Sequence, residues 1–162
     1  MTVPTIKPDR PPIPRATPIL SYGPVVFAAP GRPAALEMRV VAPATGDSLP
    51  NILFSHGHGA SNFLSSMRGY APLVEFYASH GFVVVVPTHL NSKTLALDPN
   101  GPEGPLFWRS RGKDMHFILD HLTEIEAAVP GFEWAARQEP HRGRGPLARG
   151  SHRRNAGRHD RH

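Results

Sequence analysis

A chain of 162 residues has room for one domain with tails and excludes a two-domain enzyme. It holds no cysteine, which rules out a disulfide framework, a thiolate metal site and a cysteine nucleophile. The net charge of +5 is unevenly placed: residues 1–131 carry 10 basic and 10 acidic side chains, whereas residues 132–162 carry 8 arginines and 3 acids. The basic field therefore belongs to the tail, and a nucleic-acid partner is not expected for the body. The opening MTVPTIKPDRPPIP has no apolar signal core, and the longest apolar run, residues 82–86, is too short to span a bilayer. The expectation is a cytoplasmic chain without a membrane span.

Taken in order, residues 1–19 form a leader with prolines at 4, 8, 11, 12, 14 and 18 and little to bury, which predicts an extended or disordered segment. Apolar stretches follow at residues 24–28 and 35–41. The second alternates Leu36, Met38 and Val40 with Glu37 and Arg39, the pattern of a strand with one wet face. Residues 51–55 (NILFS) and 82–86 (FVVVV) are continuous apolar runs, as expected of parallel strands covered on both faces. Between them residues 73–80 read as a helix, with Pro72 suited to its first position and Gly81 to the residue past its end.

After a Pro/Gly-rich loop at residues 98–105, residues 113–129 place Met115, Ile118, Leu119, Leu122, Ile125 and Val129 on one helical face, stopped by Pro130 and Gly131. The order is strand, strand, strand, helix, strand, helix, and its alternating part predicts a parallel sheet with right-handed crossovers. From residue 138 onward Leu147 is the only large apolar side chain, so the basic tail is expected to be disordered.

The chemistry-bearing feature is LFSHGHGAS at residues 53–61, a buried strand running into a glycine-rich turn. Gly57 and Gly59 allow close backbone approach. In an open α/β sheet ligands gather at the carboxyl ends of strands, where N–H groups of such a turn stabilise a developing oxyanion. Beside it His56 and His58 form an H-x-H pair with no third metal ligand in a recognised spacing, so no metal or other cofactor is expected. His80 and His89 read as a helix-end residue and a strand-end surface residue. Ser55, Ser61, Ser65 and Ser66 are hydroxyls outside any G-x-S-x-G context, and Arg109, Arg111, Asp114 and Asp120 read as a solvated charge cluster at a helix start.

Three segments in order, FSHGHGAS, YASHGFVVVVPTH and the R-x-R-x-K-D-x-x-F-I-L-D-x-L run from Arg109 to Leu122, resemble α/β-hydrolases of the platelet-activating-factor acetylhydrolase, chlorophyllase and polyester-hydrolase type. The resemblance spans roughly residues 20–131. It implies the N-terminal half of an α/β-hydrolase fold, a mainly parallel sheet with flanking helices and strand order 1-2-4-3. It also implies carboxylic-ester hydrolysis of small-molecule or lipid-like esters, and an oxyanion-hole N–H from His58, held by Gly57 and Gly59. An apolar or aromatic residue is commoner at the position of His58.

That family's nucleophile lies on a G-x-S-x-G elbow after the next strand. No such motif follows residue 131, so no nucleophile is identified and the chain is expected to be a truncated, inactive form. Residues 132–162 read as a frameshift product, because degenerate codons read one base later permit a polar turn, a buried strand and a GHSxGG elbow. With the elbow strand missing, residues 51–55 are expected at an open sheet edge, and Ile118, Leu122 and Ile125 are expected to lose their cover. The alternatives are a non-catalytic segment whose basic tail binds nucleic acid, and a metal-dependent hydrolase using His56 and His58.

Overall fold

The structure, a computed structural model, describes residues 15–59 and 61–130. Four strands, β1 (Ile19–Phe27), β2 (Leu36–Pro43), β3 (Asn51–Leu53) and β4 (Val83–Pro87), form one sheet in the order β1-β2-β4-β3. The helices are α1 (Ala71–Ser79), α2 (Trp108–Asp120) and α3 (Leu122–Ala127), with a short 3-10 turn at Lys93–Leu95. The strand order is the expected one, but the mainly parallel sheet is not. β1 pairs antiparallel with β2 and β2 antiparallel with β4; only β3 and β4 run parallel. This mixed, mostly antiparallel sheet with three helices replaces the expected half of an α/β-hydrolase fold.

Connection length explains the outcome. A parallel crossover needs a dozen or more residues, and the β1–β2 link spans only residues 28–35. The segment from residue 54 to 82 is long enough, and it carries α1 between the two parallel strands.

β4 is the centre of the core. Val83 and Val85 face Met38, Val40, Ile118, Leu122, Ile125 and Val129, while Val84 and Val86 face Val41, Met67, Val74 and Ala78. All four valines are fully buried, as a strand covered on both faces requires. Ile118, Leu122 and Ile125, expected to lose their cover, are buried on β2 and β4. Burying an aliphatic side chain of this size contributes roughly 1.5–3 kcal/mol, so this apolar seam is a principal attachment of α2 and α3.

Several local expectations are revised. The single helix over residues 113–129 begins earlier, at Trp108, and breaks at His121, which leaves helical angles (φ −119°) while its ring stacks on Phe117 at 4.0 Å. Leu119 therefore points outward, and Met115 is half-buried. Pro72 sits second in α1, after Ala71. The wet face of β2 is partly covered, because Arg39 reaches Glu75 of α1 at 3.1 Å and Ser21 of β1 at 2.8 Å. The proposed leader is shorter than 19 residues: Thr17 donates to the Ser79 carbonyl at 2.9 Å, Pro18 accepts from Ala44, and β1 starts at Ile19. The basic tail and most of the leader lie outside the described residues. No helix among the described residues is long and apolar enough to cross a membrane.

Candidate functional site

The carboxyl ends of the parallel pair lie side by side, and α2 closes over them. β3 delivers Ser55, His56 and the turn at residues 57–59; β4 delivers Thr88, His89 and Asn91; α2 delivers Arg111 and Asp114, three residues apart and so on one helical face. The loop before α2 is tied to it by Glu103, whose two carboxylate oxygens accept from the Ser110 N–H (2.9 Å) and hydroxyl (2.7 Å). Those bonds hold the Glu103 carboxyl below its ordinary range, and they fix the start of the helix where Arg111 projects.

A continuous hydrogen-bond relay crosses the site. Asp114 Oδ2 lies 2.8 Å from His89 Nδ1, and His89 Nε2 lies 3.0 Å from Ser55 Oγ. An ionised carboxylate only accepts, so the ring proton sits on Nδ1, Nε2 is the acceptor, and the serine hydroxyl donates to it. Asp114 and His89 are buried, whereas Ser55 is exposed. The second carboxylate oxygen of Asp114 takes the Nε–H of Arg32 at 3.0 Å, and the rest of that guanidinium is spent on the carbonyls of Ala34, Ala35 and Thr88. A buried carboxylate with an Arg partner on one oxygen and an imidazole on the other is fully satisfied. Desolvation, only partly opposed by the hydrogen bond to Asp114, lowers the His89 pKa from its ordinary value, which keeps the ring neutral.

Arg111 ties the relay to the turn. Its Nη2 donates to Ser55 Oγ at 2.6 Å and to the His56 carbonyl at 2.5 Å, and its Nη1 donates to Asn91 Oδ1 at 3.0 Å. A serine oxygen has one O–H and two lone pairs. His89 takes the first and Arg111 one of the second, which leaves one lone pair toward open surface.

His56 is a support of the relay. Its Nε2 accepts the backbone N–H of His89 at 3.0 Å and its Nδ1–H donates to the Gly57 carbonyl at 2.8 Å. Both nitrogens are engaged, so no lone pair remains for a metal, and no metal-binding cluster occurs among the described residues. Burial holds its pKa down at about 4, the form that the Nε2 acceptor role requires. His58, by contrast, is exposed, and its Nδ1 lies 3.4 Å from Asn91 Nδ2. Among the described residues none accepts from the His58 backbone N–H.

Gly57 and Gly59 serve close packing within the chain. A Cβ on Gly59 would lie 2.6 Å from Leu64 Cβ and 3.0 Å from its carbonyl carbon; one on Gly57 would lie 2.8 Å from the Tyr70 hydroxyl. The turn is thus pressed against the segment that leads into α1.

Several readings of single residues change. His89 is wholly buried where a strand-end surface residue was expected, because the Arg32 loop and α2 close over it. The expected solvated cluster divides: Arg111 and Asp114 turn inward, Arg109 lies 5.2 Å over the Trp108 ring, and Asp120 is exposed. His80 is a helix-end residue, as expected, capping α1. Of the four serines, Ser61 accepts from Leu64 N–H, Ser65 donates to the Ser61 carbonyl and Ser66 to that of Phe63. Only Ser55 meets a ring nitrogen of the relay. The sequence signal for the relay was weak: a serine ending an apolar strand, a histidine just past the next, and an aspartate three residues after an arginine on a helix. A cavity of about 420 Å³, lined by Arg32, Leu90, Phe107, Lys113 and Asp114 among others, borders Asp114 and is not lined by Ser55. No family model matches the chain, and neither a curated protein nor a solved structure matches it.

Proposed function

We propose, in place of the inactive form expected from the missing elbow, that the chemistry of this chain is carboxylic-ester hydrolysis, with the turn at residues 57–59 as the element that holds the carbonyl oxygen and His58 as its backbone donor. One observation carries the reading: the turn is braced from three sides. Arg111 grips the carbonyl of His56, the His56 ring is locked between the Gly57 carbonyl and the His89 N–H, and both glycines abut the Leu64–Tyr70 segment. A donor fixed before the reaction begins stabilises a developing oxyanion without reorganisation, and such electrostatic terms are typically the largest in acyl transfer. The resemblance of residues 53–61 to the oxyanion turn of esterases supports the same reading. Its substrate would be a small or lipid-like ester that reaches the surface where Ser55 and His58 are exposed.

The metal alternative is disfavoured by the engaged nitrogens of His56. The test uses a short activated aryl ester and the full chain with two substitutions. His58→Ala keeps the backbone N–H and should retain turnover within a few-fold. His58→Pro deletes that donor and should lower turnover by about 10²–10³-fold, the usual cost of one oxyanion-hole donor. Equal turnover of the two variants, or no hydrolysis by the unmutated chain, would defeat the reading.

A further inference from the structure

We propose that Ser55, His89 and Asp114 form a nucleophilic relay, with Ser55 as the hydroxyl that accepts an acyl group. The proposal rests on the ester reading for its substrate class and supplies the nucleophile that no sequence motif identifies.

Ser55, His89 and Asp114 are 34 and then 25 residues apart, on the ends of β3 and β4 and on α2, yet they form one chain of hydrogen bonds of 3.0 and 2.8 Å. Such triads are recognised by geometry and roles, since the same constellation occurs in unrelated chain orders. Each member has the environment its role demands. The hydroxyl is exposed, the base is buried and neutral, and the carboxylate is buried and locked by Arg32 so that it orients the ring. The hydroxyls of Ser61, Ser65 and Ser66 are each held by backbone groups, and none of the three meets a histidine ring.

A free lone pair of Ser55 Oγ attacks the ester carbonyl carbon, the hydroxyl proton passes to His89 Nε2, and the carbonyl π electrons move onto oxygen. Collapse of the tetrahedral intermediate breaks the bond to the alkoxy group, which leaves as an alcohol with the proton from His89. Water then attacks the acyl-serine, gives a proton to His89, and releases the carboxylic acid while Ser55 regains its proton. Ser55 and His89 are the catalytic residues; Asp114 is a positioning residue. The Arg111 guanidinium, 2.6 Å from Ser55 Oγ, stabilises negative charge on that oxygen as its proton leaves.

The experiment is active-site labelling of the full 162-residue chain with an alkyl fluorophosphonate, read by intact mass and peptide mapping. A single adduct on Ser55 is expected. Ser55→Ala should abolish it and, because Ser55 is exposed, should keep the fold, which far-UV circular dichroism checks. His89→Gln should slow labelling at least a hundredfold. Because His89 is buried, acid titration of the unmutated protein is the readout that does not depend on how the variant folds. The groups facing the His89 ring are Asp114 and Arg111 of α2, Arg32 of the loop after β1, and His56 at the end of β3, and their net effect with burial lowers its pKa. Labelling should hold steady through about pH 6.5, an unperturbed histidine's value, and fall only at lower pH, as the ring takes a proton. An absent adduct, an adduct on Ser61, Ser65 or Ser66, or a rate indifferent to both His89→Gln and acidification would overturn the relay. Turnover that survives Ser55→Ala but responds to His58→Pro would overturn the relay and leave the ester reading standing.

Discussion

His56 holds His89 by its main chain: the Nε2 of one ring accepts the backbone N–H of the other residue across 3.0 Å, with the rings 5.0 Å apart. The base of the relay is thus positioned at both ends, its side chain by Asp114 and its backbone by His56.

That arrangement makes stability sensitive to acid. His56 has a folded pKa of about 4 against 6.5 for an unperturbed ring. Between those values the unfolded chain binds a proton that the folded chain does not, so stability is fully present above pH 6.5 and is lost as pH falls toward 4. The loss should be of order 2 kcal/mol. Denaturant melts at pH 7 and pH 4.5 measure it. His56→Asn, which removes this titrating group, should reduce the slope in this window and leave the part that His89, also lowered, contributes; an unchanged slope would show that His56 does not carry it.

Arg32 and Asp114 form the buried ion pair behind the relay, with side chains 4% and 3% exposed. Removing one partner strands the other charge, so Arg32→Ala should destabilise the chain by about 3–5 kcal/mol. Loss of this cation also removes one influence that lowers the His89 pKa. The acid limb of Ser55 labelling should therefore move to higher pH in any folded Arg32 variant, with Arg32→Gln the gentler choice. A change in stability without that displacement would detach Arg32 from the relay.

Asp114→Asn keeps the shape of the side chain and alters what it accepts. An amide can donate to Nδ1, which would place the ring proton on Nε2, the wrong side for taking the Ser55 proton. Labelling should fall by a factor approaching 10⁴, the loss typical of this change in a serine triad. Retention of more than a tenth of the rate would argue that Asp114 is there for Arg32 alone.

The glycines give a graded series. Gly59→Ala drives a Cβ to 2.6 Å from Leu64 Cβ and 3.0 Å from its backbone and should cost roughly 1–3 kcal/mol, with loss of turnover. Gly112→Ala, in α2, meets nothing within 4 Å and should stabilise by roughly 0.5–1 kcal/mol. Thermal melts of the pair separate a packing requirement at the turn from a general effect of removing glycine.

β3 lies at the sheet edge with a single neighbour among the described residues. Val83 N–H donates to the Pro50 carbonyl and Phe54 N–H to the Val85 carbonyl, so the backbone groups of Asn51 and Leu53 face away from β4. An unpaired apolar edge without a charge or proline templates further pairing. Asn51→Pro removes no bond to β4 and should reduce concentration-dependent association in sedimentation velocity. Equal association of both proteins would place the contact elsewhere.

Much of the frame was legible in the residues and much of the site was not. The valine run of β4 and the face of Ile118, Leu122 and Ile125 announced themselves because apolar periodicity is what packing selects. The parallel reading holds for the two continuous apolar runs, β3 and β4, and fails for β1 and β2, where the short link between them excludes a parallel crossover. The motif at residues 53–61 drew attention to His58, and the structure keeps it exposed on the turn. From the residues alone His89 reads as a surface residue, Arg111 and Asp114 as parts of one solvated helix-start cluster and Ser55 as a hydroxyl outside any elbow, because partners 25 to 56 residues apart become visible only once the strand ends are aligned.

Ser55 stands two positions past the last residue of a three-residue strand, and its neighbour Phe54 makes the final backbone bond to β4. Strand ends with one neighbour open locally before the body of a protein melts. Warming should therefore withdraw the hydroxyl from His89 while the valine core of β4 is still intact, so that chemical competence is lost at a lower temperature than secondary structure.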